Sequence, residues 1–578
     1  MAGTAHRSAV GIDSAGHTHH PGVVPSPPPL PRRGLLLSAL AAVAASACDV
    51  AVPAGRPVIP PAPNAPPLSP APPSPGQLDE ATLAELQEGM RTGKHTARSL
   101  AERYLARIEA LDHRGPALHA LLEINPDALA IADQRDAARR AGGAAARGPL
   151  HGIPVLIKGN IATADRMATT AGSLALVGAR PPEDATVVRR LREAGAVILG
   201  KTNLSEWANL RSSQASSGWS AQGGQCKNPY ALDRSPCGSS SGTGAAIAAN
   251  LAAVGVGTET DGSILCPSAL NALVGIKPTL GLVSRRGIVP LSHSQDTAGP
   301  MARTVRDAAI LLGALAGPDP KDPATASAPA GTDYTRFLDP AGLRGARIGV
   351  VRAKLTGMSQ PTDRLVDEAL EAMRKQGAVI VDPADIPHYG EYDEAELTVL
   401  LYELKADLNA YLAEFAPGAP VKTLADVIVF NERNRDREMP FFGQDLFIKA
   451  QAKGPLTEQA YLDALAKCRR LAREEGLDAV MAQHKLDALV APASSPAWSI
   501  DLVNGDHFLF GSTTPAAVAG YASVSVPCGY AFGLPVGLSF IGRRFGEGPL
   551  LTLAYAFEQA TRHRRAPGFA ASAELGKE

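Results

Sequence analysis

Three segments carry side chains that chemistry could use. Lys158 ends the apolar run Val155-Leu156-Ile157. Gly238-Ser239-Ser240-Ser241-Gly242 is a Gly/Ser loop that leads into an apolar stretch. Gly257-Thr258-Glu259-Thr260-Asp261-Gly262-Ser263-Ile264 places another serine among small residues. A serine hydroxyl is a weak nucleophile and needs a neighbouring base. A lysine can be that base once burial lowers its pKa, and a lone lysine after three apolar residues is placed for desolvation. Small residues around Ser263 permit a tight turn and close approach of the backbone to a substrate. Amides in such a turn can hold an oxyanion, an effect of roughly 3–4 kcal/mol per donor. Taken singly, each residue has an ordinary explanation: Lys158 as a strand-end lysine reaching solvent, Ser239 as a linker serine, Ser263 as a turn serine.

Two other patterns look like chemistry and are set aside. Gly195-Ala196-Val197-Ile198-Leu199-Gly200-Lys201-Thr202 matches the phosphate-loop spacing, which needs a strand first and then a loop whose amides wrap phosphates. Here Ala196-Val197-Ile198-Leu199 reads as the strand itself, so the sheet would consume those amides. Residues 238–242 also match G-x-S-x-G, the nucleophile elbow, which would choose Ser240 and needs an acid and then a histidine downstream. His293, His388, His484, His507 and His563 follow, and none sits in a motif that singles it out. Lys201 is a rival base, but Asn203 and Glu206 beside it point to a hydrogen-bonded structural role.

These segments must be held by a larger frame. Asp79 or Thr82 caps a helix carrying Leu83 and Leu86, and a helix over 97–111 lines up Leu100, Tyr104, Ile108 and Leu111. Residues 152–158 and 196–199 read as short buried strands, with a helix over 186–194 between them. Residues 244–254 read as a buried helix. Further on, 346–351 and 378–381 read as strands around a helix at 362–376. Strands alternating with helices predict an α/β layer fold.

These segments resemble the amidase signature family, over about residues 80–565. The resemblance implies a Ser–cis-Ser–Lys set, with Lys158 as base, Ser239 as the cis-serine and Ser263, 24 residues later, as nucleophile. It implies an oxyanion hole from the amides of Thr260, Asp261, Gly262 and Ser263. It implies one large α/β/α domain with a central mixed twisted sheet flanked by helices, no metal and no cofactor, and an amide plus water as substrates. Residues 200–206 and 296–301 are further landmarks. Two positions depart from the usual pattern: Gly159 stands where Asp is usual, and Asp261 stands where Gly is usual. The versions at 235–242, 258–263 and 501–508 resemble the peptide amidase branch, which implies removal of C-terminal amides from peptides. For Asp261 two roles stay open, binding a substrate amine or capping the turn. Trp219 reads as packing and His507 as a surface or structural histidine. Alternatives are an amidase of other small or aryl amides and a non-catalytic exported binding lipoprotein on the same fold. The glutamine-hydrolysing subunit of a tRNA amidotransferase is disfavoured by the leader and by the lack of basic patches.

The leader runs ahead of this frame. Arg32-Arg33 precedes an apolar stretch of about a dozen residues that ends Ala45-Ser46-Ala47-Cys48, a secretory signal too short for an ordinary membrane span. The expected division is an export signal with a long N-terminal extension over 1–47, a Pro-rich linker over 48–77 and a catalytic domain over 78–570. About 333–483 is expected to be a variable cap. The expected location is periplasmic or secreted, with membrane contact only through a lipid anchor at Cys48; signal cleavage near Ala47 is the alternative. A formal net charge of -1 offers no field for nucleic acid. Six cysteines without a C-x-x-C pair give no zinc or thioredoxin motif, and Cys226–Cys237 is the candidate bridge in an exported chain.

Overall fold

The computed structural model describes residues 78–143 and 148–575. The chain divides into a unit of residues 1–67, outside that range, and a unit of residues 68–578. The expected export signal over 1–47, Cys48 and the Pro-rich stretch over 48–77 lie outside the described residues.

Continuous apolar runs become strands buried on both faces, as in sheets covered by helices. In chain order the strands are β1 (Leu121–Ile124), β2 (Pro154–Lys158), β3 (Val197–Thr202), β4 (Trp219–Ser220), β5 (Gly224–Gln225), β6 (Val254–Glu259) and β7 (Val274–Lys277). They continue with β8 (Thr297–Ala302), β9 (Arg347–Val350), β10 (Val379–Val381), β11 (Ala488–Pro492), β12 (Ser523–Ala531) and β13 (Leu534–Ile541). β4 and β5 make a small hairpin. The rest form one sheet in the order β1-β3-β2-β6-β8-β7-β12-β13-β11-β9-β10. β2 runs parallel to β3 and β6, while β8 lies antiparallel to β6 and β7. This mixed sheet flanked by helices is the α/β architecture expected from the sequence. Within the segment 333–483, β9 and β10 extend the sheet, and helices from Asp393–Phe415 to Asp478–Gln483 follow.

Local signals explain most boundaries. Thr82, not Asp79, caps the first helix: its hydroxyl accepts from Glu85 N–H while Glu85 accepts from the Thr82 amide, a reciprocal cap. Leu100, Tyr104, Ile108 and Leu111 are all fully buried, although the α-helix stops at Ile108 and a wider turn carries the chain to His113. One expected element moves. The helix read at 244–254 is Ser241–Ala248, and Val254 opens β6. Asn250 takes a left-handed φ of 59°, which ends the helix. The stretch is apolar throughout, so periodicity could not mark the break. Residues 197–202 are strand, so the phosphate-loop pattern holds no loop.

The bridge also differs from expectation. Cys237 pairs with Cys266, and Cys226 is buried and unpaired. Cys226 is nearer in sequence, but the fold sets the loop after Cys237 against the turn before Cys266.

Candidate active site

β2 ends at Lys158 with every residue buried, so the ammonium is desolvated. Lys158 Nζ lies 2.8 Å from Ser239 Oγ, 2.9 Å from Thr258 Oγ1 and 3.3 Å from the Thr258 carbonyl. Burial pushes its pKa down to about 7, against the opposing charges of Asp296 and Glu259. Asn160 Nδ2 donates to Thr258 Oγ1 at 3.0 Å, fixing that hydroxyl from the other side. Lys201, on the neighbouring strand, is also pushed down to about 7 by burial, so titration does not separate the two. Geometry does: Lys201 Nζ donates to the Ile161 carbonyl and to Thr169 Oγ1 and touches no serine.

The Ser239 loop precedes helix Ser241–Ala248, and the Gly238–Ser239 peptide is cis. Ser240, the residue the elbow pattern would choose, is tied down: its hydroxyl donates to the Thr258 carbonyl at 3.0 Å and accepts from the Thr258 amide. Its own amide donates to the Ser263 carbonyl at 3.2 Å. That bond brings the two serine segments together. No hydrogen bond joins the Ser239 and Ser263 hydroxyls, and Ser263 Oγ has no partner among the described residues. Catalytic contacts of this kind often tighten only when substrate binds.

The turn after β6 is built around Glu259, a residue the sequence did not single out. Its Oε2 accepts from the amides of Ile264 and Leu265 at 2.7 and 3.0 Å. Glu259, not Asp261, therefore caps the turn. Thr260 Oγ1 donates to Asp296 Oδ1 at 2.6 Å, and Asp296 Oδ2 takes the amides of Leu291 and Ser292. Gly262 has φ 75°, and a Cβ there would meet Thr513 Oγ1 at 3.0 Å; both conformation and space call for glycine. Gly159 is also a packing residue, since a Cβ would meet Leu122 Cδ1 at 2.6 Å and the Thr202 carbonyl at 3.0 Å. No room is left for the aspartate usual after the lysine.

A cavity of about 240 Å³ opens beside this turn, lined by Gly238, Asp261, Gly262, Trp498, Asp506 and Thr514 among others. Cys237 and Cys266 form part of the same wall. Asp506 anchors the segment 501–508: its carboxylate accepts from Trp498 Nε1 at 2.9 Å and from the Ser217 amide at 3.1 Å. Trp219 is buried and meets Phe441 and Phe442 edge to face, a packing role as read, while His507 is exposed. A larger cleft of about 1090 Å³ shares none of these residues. Among the described residues one group, His293, Glu403 and Asp407, brings ligand atoms close enough for a metal ion. Glu403 is already engaged by Ser292, Ser294 and Tyr461, and Asp407 by His293.

Comparisons with known proteins find relatives over most of the chain. A family model described as Amidase matches residues 99–551. The native peptide amidase from Stenotrophomonas maltophilia is 53% identical in sequence, with a TM-score of 0.81, over 85% of this chain and 99% of that one. A probable amidase of Arabidopsis thaliana is 43% identical over 86% of this chain and 92% of its own length. A glutamyl-tRNA(Gln) amidotransferase subunit of Halorhodospira halophila is 36% identical over 85% of this chain and 99% of its own length.

Proposed function

Because the chain belongs to the amidase signature family and is a hydrolase of amide C–N bonds, we propose that it removes the C-terminal amide of peptides with Ser263, Ser239 and Lys158. The observation that carries the set is the buried lysine 2.8 Å from Ser239 Oγ, depressed to about 7 and thus available as a neutral base. Ser263 Oγ attacks the amide carbonyl. Its proton passes to Ser239, and Ser239 passes its own to Lys158. The oxyanion is held by amides of the 260–263 turn. The C–N bond then breaks, and the proton returns through Ser239 to the leaving nitrogen, which departs as ammonia. Water attacks the acyl-enzyme with the same base and releases the peptide acid. The peptide end of the substrate range rests on the likeness to the S. maltophilia peptide amidase and on the segments at 235–242 and 501–508.

Export is the second part of the proposal. It rests on Arg32-Arg33 followed by the apolar run to Ala47 and on the Cys237–Cys266 bridge, a bond that persists in oxidising compartments. Cys48 is the candidate lipid attachment point.

The test is ammonia release from a panel of peptide, aliphatic and aryl amides and glutamine. Peptide amides are expected to lead, Ser263→Ala to abolish release and Lys158→Ala to cut it by about 100-fold or more. Full activity in Lys158→Ala would remove the assigned base. Fractionation of cells expressing the full chain, with and without Cys48→Ala, tests export and anchoring. Retention of the wild type in the cytoplasm would refute both.

A further inference from the structure

The cavity wall beside the turn carries two carboxylates, Asp261 and Asp506, and no lysine, arginine or histidine. Asp506 is spoken for by Trp498 and Ser217. Asp261 is not. Its Oδ2 accepts from Thr514 Oγ1 at 2.6 Å, and the Thr513 hydroxyl also stabilises the carboxyl, while its Oδ1 is buried and makes no close hydrogen bond among the described residues. A carboxylate can accept about four hydrogen bonds, and a buried acceptor left without a donor costs about 1–3 kcal/mol, more when charged. The two oxygens exchange by rotation about a soft torsion, so either can turn to the partly exposed cavity side of the residue. Asp261 also makes no hydrogen bond within its own turn, which Glu259 caps instead.

Position then fixes what the carboxylate can read. Asp261 stands two residues before Ser263 in a tight turn around Gly262. A substrate carbonyl at Ser263 Oγ carries its α-carbon, and in a peptide amide that carbon bears an N–H. The α-nitrogen is two bonds from the attacked carbon, and a simple alkyl or aryl amide has no donor there.

We propose that Asp261 is a specificity residue that accepts the backbone N–H of the amidated C-terminal residue, so that the site selects acylated amino-acid amides over amides without an α-nitrogen. This rests on the reading of the site as a peptide amidase. Burial, with Asp393 nearby, raises the pKa of this carboxyl; in its ionised form, a hydrogen bond to it is worth about 10- to 100-fold in rate constant ratios.

The test uses the full chain and four substrates: N-acetyl-leucinamide, its N-methyl derivative, the des-amino analogue and free leucinamide. In the wild type, kcat/KM for N-acetyl-leucinamide is expected to exceed that of the des-amino and N-methyl analogues by about 10- to 100-fold. In Asp261→Ala that ratio falls to within about threefold of unity, and Asp261→Asn, which keeps one acceptor, lies between. The ratio is internal to each enzyme, so a variant with less folded protein still reports it, and the wild-type arm needs no variant. An unchanged ratio in Asp261→Ala overturns the inference. So does a response confined to free leucinamide, which would mean that the carboxylate reads an ammonium. Failure of the wild type to release ammonia from any peptide amide would instead overturn the functional reading beneath it.

Discussion

Two lysines are buried in neighbouring strands, and burial brings both to about 7. A depressed lysine is therefore not by itself a base; what it touches decides. With Lys158 as the proposed base, the active form is the neutral one, populated above its pKa. Ammonia release is expected to rise with pH through about 7 and level off above it, and Lys158→Ala to lose about 100- to 10,000-fold. The negative charge of Asp296 favours protonated Lys158, so Asp296→Asn should lower the lysine pKa and move the rising limb to lower pH. The position of the limb in a pH–rate profile is the measurement, and an unmoved limb would contradict the assignment. Lys201→Met should behave differently. It removes the buried lysine's bonds to the Ile161 carbonyl and to Thr169 Oγ1, leaving that carbonyl only the longer 3.4 Å bond from Thr169, at about 1–3 kcal/mol. Denaturant midpoints should fall while the rising limb stays where it is.

At the scale of elements, the site is a junction of two loops held by staples. Ser240 bonds the Ser263 carbonyl, Glu259 holds the far side of the turn, and Cys237–Cys266 spans both. The bridge joins a residue two before Ser239 to one three after Ser263. Its sequence separation of 29 corresponds to about 3–4 kcal/mol of chain entropy. The Cys237→Ser, Cys266→Ser pair should lose about that much stability and also lower kcat, because the two loops are then free to drift apart. A reductant should reproduce the effect in the wild type and do nothing further to the double variant. Unchanged kcat in the folded double variant would leave the bridge without a part in catalysis.

The same scale shows what the sequence could reveal. β2 and β3 were legible because three or four consecutive apolar residues meet a charge or a glycine. The helix running into β6 was not, since an all-apolar stretch has no period to read and Asn250 is a weak signal. The cysteine pairing was hidden because loop adjacency in space leaves no mark at fixed spacing. Glu259 lay inside the motif, but its backward reach to Ile264 and Leu265 depends on the turn it caps. Lys158, Ser239, Ser263 and Asp261 were visible because their neighbours are small or apolar, where reactive side chains stand out.

At the scale of the molecule, the sheet order constrains how the described body can come apart. β12 and β13, near the C-terminus, lie between β7 and β11. The strands before residue 303 and those at 347–350, 379–381 and 488–492 therefore meet only through a hairpin added last in sequence. Arg564 draws the C-terminal segment back to the start of the described chain. It pairs with Glu80 at 2.7 Å and donates to the carbonyls of Ala272 and Ala248. No part of the sheet can be lost without opening a strand edge that carries the core, so layers of this kind unfold together. Calorimetry should record one transition for the body, with ammonia release lost over the same temperatures. Arg564→Ala removes a donor from the carbonyls of Asn271, Ala272 and Ala248 and leaves Glu80 without its ion pair, with only Asn250 donating to it among the described residues, at about 2–3 kcal/mol. It should lower the midpoint of that transition without splitting it. Two resolved transitions in the wild type, or a variant that loses only the β9–β11 edge, would mean that the hairpin does not couple the two halves.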